Sequence, residues 1–139
     1  MPVRNVGKDC DVKFVENIKT LFNDKLGISL LTTPPFHSFD LKDKENKIVI
    51  EVKRRYINHD AYPTMIMNYS KYKKAKQYIQ RQYSVYFVMH YNDGIYYHKY
   101  NGETYNLVKV PRHDRGTISD CVNIPINLLE KFETVEYDF

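Results

Sequence analysis

At 139 residues, with 42% apolar residues and a formal net charge of +4, the chain has the size of one domain with one core. No apolar run approaches the roughly 18 residues of a membrane span, and Met1 to Lys8 hold no signal-like stretch, so a soluble intracellular protein with no membrane partner is expected. Cys10 and Cys121 are the only cysteines; without CxxC spacing they exclude a cysteine zinc site and favour two buried thiols over a disulfide.

The first expected element is a helix. Asp9 or Asp11 is placed to cap it, Val12, Val15, Ile18, Leu21, Phe22 and Leu26 form its apolar stripe, and Gly27 is placed to end it. Glu16 flanks the stripe, about 40° round from Val12 at about 100° per residue, where it either looks into a site at the edge of the core or is solvated. Ile28–Leu31 reads as a short strand stopped by Thr32, Thr33, Pro34 and Pro35.

A hairpin follows, with Phe36–Lys42 as its first run, a polar turn over Asp43–Asn46, and Ile48–Lys53 as its second. Period two puts Ile48, Ile50 and Val52 on one face and Val49, Glu51 and Lys53 on the other. A two-residue loop at Lys44 and Glu45 sets Asp40 opposite Val49 and Ser38 opposite Glu51. Asp40 and Glu51 are then diagonal neighbours on one face, roughly 7–8 Å apart. A loop of odd length sends Asp40 to the other side.

Residues 54–63 are polar and read as a strand end running into a loop. Met65, Ile66 and Met67 form a brief apolar run. Ser70 is a candidate N-cap for a helix to about Arg81 that buries Tyr69, Tyr72, Ala75 and Ile79 and turns its lysines outward. Eight of the 21 basic residues but one of the 17 acids fall between Lys53 and Arg81, leaving 13 basic against 16 acidic residues elsewhere. The basic character therefore belongs to one stretch, which suits a polyanionic partner.

Val85–Met89 is uniformly apolar and reads as a central strand. Asn92-Asp93-Gly94 is a turn, with Ile95–Tyr100 as the returning strand. A further turn over Asn101–Glu103 leads into a strand from Tyr105 to Val110. Residues 111–116 form a charged loop, and Ile126–Phe132 a short closing helix packing Leu128, Leu129 and Phe132.

A hard divalent cation takes oxygen ligands, and magnesium keeps several waters beside one or two carboxylates. Asp40 and Glu51, with the carbonyl of Val52, offer such an open Mg²⁺ or Mn²⁺ site. Lys53, two residues along the same face, is placed to orient or deprotonate a water and to stabilise growing negative charge. Arg54 and Arg55 adjoin this face; Lys71 and Lys74, one helical turn apart, are candidates for phosphate contacts. Tyr56 and Tyr62 are candidates for stacking on bases, His37 for reaching a phosphate at the site mouth, and Arg112 and Arg115 for contacts from the charged loop. The five histidines show no HxxxH or HxH spacing, and the five glycines form no phosphate loop.

Phe39-Asp40, followed eleven residues on by Glu51-Val52-Lys53, with an acid on the preceding helix and a basic helix after, resembles the PD-(D/E)XK nuclease superfamily over roughly residues 9 to 100. The resemblance implies the α/β restriction-endonuclease-like fold, an αβββαβ core with a mixed sheet flanked by helices. It implies Asp40 and Glu51 as metal ligands and Lys53 as the catalytic lysine; Glu16 matches a helix acid that some members use. Phe39 stands where the name-giving proline would be.

The leading expectation is a Mg²⁺- or Mn²⁺-dependent endonuclease acting on DNA, with residues 1–139 as a single nuclease-like domain. Sequence specificity, if present, requires a homodimer or another partner. A catalytically silent nucleic-acid-binding or assembly module on the same fold is the alternative, and an RNA substrate is a third reading.

Overall fold

A computed structural model describes the backbone of residues 2–34, 37–112 and 116–132 and the side chains of residues 13–34, 37–111 and 116–132. Helix α1 (Pro2–Leu26) is followed by β1 (Leu31–Thr32), β2 (Leu41–Asp43), β3 (Ile48–Arg54), β4 (Thr64–Asn68), α2 (Tyr69–Gln80), β5 (Ser84–Tyr91), β6 (Gly94–Tyr100), β7 (Leu107–Arg112) and β8 (Thr117–Pro125). A 3-10 turn (Ile126–Leu128) and β9 (Glu130–Lys131) follow. The main sheet has six strands in the order β1-β2-β3-β5-β6-β9, and β4-β8-β7 form a second sheet of three. β3 and β5 are parallel and their other neighbours antiparallel, so the main sheet is mixed. Helix, short strands, helix and strand recur in the order expected of a restriction-endonuclease-like core.

Alternation in β3 assigns the two layers. Ile48, Ile50 and Val52 pack with Phe14, Ile18, Leu21 and Phe22 of α1. Val49 faces the other way, into a core with Tyr72, Ala75 and Tyr78 of α2, Met65 and Met67 of β4, and Val122 and Ile124 of β8. Residues such as Ile18, Leu21 and Phe22, at most 2% exposed, each contribute about 1.5–3 kcal/mol through removal of apolar surface from water. Gly27 ends α1 in the left-handed region (φ 64°), where its N–H and that of Ile28 both donate to the Asn23 carbonyl.

Several expectations are corrected. α1 starts at Pro2, a residue suited to a first helical turn, so Asp9 and Asp11 lie inside the helix rather than capping it; the side chains of Cys10 and Val12 are outside the described residues. Only Leu31 and Thr32 form β1, pairing with Lys42 and Leu41. The turn between β2 and β3 spans residues 44–47, with Asp43 pairing with Ile48. Asp43 makes this turn: its carboxylate, buried at 3% exposure, accepts the Asn46 backbone N–H at 2.9 Å, the Asn46 amide at 2.7 Å and the Ser29 N–H at 2.8 Å, and Lys47 adopts φ 56°. The loop remains even in length, so the faces stand while the register moves by two residues. Asp40 falls level with Glu51 instead of Val49.

The cap of α2 is Asn68, whose side chain accepts the Ser70 N–H at 2.8 Å. The C-terminal helix expected over 126–132 is instead a 3-10 turn running into β9, because the extended stretch after it pairs with β6. β8 has no counterpart in the sequence reading: its exposed start and buried end, Cys121 included, blur the alternation that marks a strand. β7 runs on through Pro111 to Arg112, where a loop was expected; the side chains of Arg112 and Arg115 lie outside the described residues.

Candidate active site

β2 pairs with β3 only as far as Ile50. Beyond that residue the edge of β3 faces a side chain rather than a strand: Asp40 Oδ2 accepts the Val52 N–H at 2.8 Å. Asp40 is itself gripped by both neighbours, its N–H donating to the Ile50 carbonyl and its carbonyl accepting from the Thr33 N–H, each at 3.1 Å. In an extended strand a residue's N–H and C=O point to the same side, so the Val52 carbonyl lies on the edge that Asp40 covers.

Glu51 is buried at 3% exposure on the α2 side of β3. Lys71 Nζ lies 3.2 Å from its Oε1 and Lys53 Nζ 3.7 Å from its Oε2. Oε1 makes no aligned hydrogen bond, so its contact with Lys71 is an ion pair. Burial, and then the charge of Asp40, push the Glu51 carboxyl up to about 7 against the opposing pull of Lys71 and Lys53. Two carboxylates are thus held together, one of them out of water, at a cost that a cation relieves. The oxygen donors of Asp40, Glu51 and Val52 fit a hard divalent cation.

The remaining predicted residues divide. Glu16 is exposed and paired with Lys19 at 2.8 Å, on a helix that packs against the opposite face of the sheet from Glu51. The Arg54 guanidinium is spent inside the fold, donating to the carbonyl oxygens of Arg55 and His90 and to Asn92, and lying 4.2 Å from the Tyr56 ring centroid. Arg55 is half-buried and Tyr62 is 63% exposed. His37 accepts the Phe39 N–H on Nδ1 at 3.0 Å and meets Tyr78 Oη through Nε2 at 3.3 Å. Burial, then Lys42, hold its pKa below the ordinary value.

With the geometry in place, comparison with family models decides the affiliation. The chain belongs to the family described as "Phage putative PDDEXK endonuclease", whose model matches residues 8–135. Searches of curated proteins and of solved structures found no match. In this PDDEXK chain the match spans the whole stretch from Asp40 to Lys53 and both helices' described side chains. No helix among the described residues is long and apolar enough to cross a membrane.

Two groupings in this PDDEXK chain escaped the sequence reading. Lys71 meets Glu51 across 20 residues, and spacing alone gave it only a phosphate role. His59, Asp60 and Asp93 bring ligand-type atoms within 4.8 Å of one another, although 33 residues separate Asp60 from Asp93. Asp93 accepts both the backbone N–H and ring Nδ1 of His59, whose ring stacks on Tyr96 at 4.3 Å. This staple ties the polar loop after β3 to the β5–β6 turn, and only the turn composition around Asp93 hinted at it.

Proposed function

We propose that this PDDEXK chain is a divalent-metal-dependent endonuclease that hydrolyses phosphodiester bonds in DNA, with Asp40, Glu51 and the Val52 carbonyl as the metal-binding group and Lys53 as the catalytic lysine. The observation that carries the reading is Glu51: a carboxylate buried at 3% exposure, coupled to Asp40, with an oxygen that accepts no aligned hydrogen bond. A bound Mg²⁺ or Mn²⁺ supplies charge neutralisation at the scissile phosphate and a more acidic water. Asp40 closes the edge of β3 beyond Ile50 by accepting the Val52 N–H, which fixes its carboxylate beside the Val52 backbone. Lys53, its side chain 40% exposed and 3.7 Å from Glu51, presents an ammonium where negative charge grows on the phosphate.

The experiment is nicking of plasmid and branched DNA, and of matched RNA, with Mg²⁺, Mn²⁺ or EDTA, by wild type, Asp40→Ala and Lys53→Ala. Metal-dependent cleavage by wild type alone is expected. Equal cleavage by all three removes this site from the reaction. A second reading, a binding or assembly module without catalysis, is favoured by the Lys71–Glu51 ion pair, which neutralises the buried carboxylate without a metal. Binding with no cleavage under any metal selects it.

A further inference from the structure

We propose that the trough between α2 and the chain around His37 and Ser38 is the track for the backbone of one nucleic-acid strand leaving the active site, and that the Tyr78 hydroxyl, with Lys74 and Arg81, is one of its phosphate contacts. The proposal rests on the nuclease reading for its starting point, Lys71 beside Glu51, and goes beyond it in assigning the path.

Two cavities of about 300 Å³ each lie along α2. They share Ser38, Lys74 and Gln77, so they form one continuous trough, and neither is lined by an acid. α2 itself carries four lysines and no carboxylate. Lys71, Lys74, Gln77 and Tyr78, and Arg81 recur at helical spacing along one face. From Lys71 to Arg81 this face spans about 15 Å at about 1.5 Å per residue, long enough to run beside more than one phosphate of a strand.

The far end of the trough is preset to receive an anion. The Arg81 guanidinium lies 5.0 and 5.2 Å from the Tyr78 and Tyr83 ring centroids, which orients a planar fork suited to phosphate. His37 fixes the direction of the Tyr78 hydroxyl. Nδ1 accepts the Phe39 N–H, so neutral His37 carries its proton on Nε2 and donates it to Tyr78 Oη. The Tyr78 O–H is thereby left to donate, and Tyr78 lines the cavity. A phosphate oxygen is the acceptor that matches a site rich in cations and lacking carboxylates.

The test is fluorescence anisotropy of a labelled single-stranded DNA oligonucleotide in EDTA, titrated with salt. Lys74→Ala and Arg81→Ala are each expected to lower the magnitude of the salt slope by about 0.7 to 1. Tyr78→Phe, which keeps the ring under Arg81, is expected to weaken binding several-fold at every salt with the slope unchanged. Lys109→Ala, on the second sheet and paired with Asp120, is the neutral control. In cleavage, uncharged methylphosphonate linkages are expected to impair turnover on one side of the scissile bond only. Unchanged slopes in both variants, symmetric methylphosphonate effects, or equal competition by poly-glutamate overturn the assignment. Metal-independent binding slopes stand apart from the nuclease reading, which fails if Asp40→Ala still cleaves.

Discussion

The Lys71 ammonium lies 3.2 Å from Oε1 of Glu51, a carboxylate oxygen buried between α2 and β3. Lys71 thus provides positive charge at the carboxylate that the nuclease reading assigns to a divalent cation. Replacing it with methionine is expected to tighten Mn²⁺ binding by about tenfold, since part of the ~4 kcal/mol repulsion between unit charges about 4 Å apart is removed. Calorimetric titration of wild type and Lys71→Met measures this; weaker metal binding in the variant would show that Lys71 supports the metal site rather than competing with it.

Glu51 also makes stability depend on pH. Its folded-state value of about 7 lies above the ordinary 4.5, so the native state binds the proton more tightly. Stability from this group is complete below about pH 4.5 and falls as pH rises to about 7, by about 3 kcal/mol. In EDTA, denaturation midpoints of wild type are expected to fall between pH 5 and 7.5, while Glu51→Gln flattens this dependence. Above pH 7, Mg²⁺ is expected to restore stability to wild type by binding the native state. Parallel profiles for the two proteins would exclude Glu51 as the origin.

Asp40 has two separable roles. Asp40→Asn retains an acceptor for the Val52 N–H, whereas Asp40→Ala strands it, costing about 1–3 kcal/mol. Both are expected to lose metal binding and to reduce cleavage by on the order of 100-fold or more. Unfolding curves and nicking rates for the pair measure the two effects independently. Full activity in Asp40→Asn would remove the carboxylate from the chemistry.

The His59–Asp93 staple is expected to contribute about 1–3 kcal/mol. Burial opposes ionisation of Asp93, but the hydrogen bonds from His59 prevail and hold its pKa below the ordinary 3.8. Its contribution is therefore present above about pH 3.8 and is lost as pH falls through the lower folded value. Asp93→Asn is expected to be less stable than wild type at pH 7, with the difference shrinking below pH 4. A difference independent of pH would show that charge plays no part.

Local pattern determined a good part of this protein. Period-two alternation put Glu51 and Lys53 on the face opposite Ile48, Ile50 and Val52, and an even turn kept Asp40 with them although its length was misjudged. The density of lysines marked α2 as the basic element. What only the tertiary structure decided lies between layers. Asp43 widened the turn because its buried carboxylate found donors on Ser29 and Asn46. Packing of α1 against Ile48, Ile50 and Val52 put exposed Glu16 on the helix behind the sheet, and the crossover through β4 and α2 brought Lys71 onto Glu51. Sequence periodicity assigns a residue to a face of its own element. Which charge meets which is fixed by the stacking of elements distant along the chain, where burial makes each unmatched group costly and so selects the partners seen.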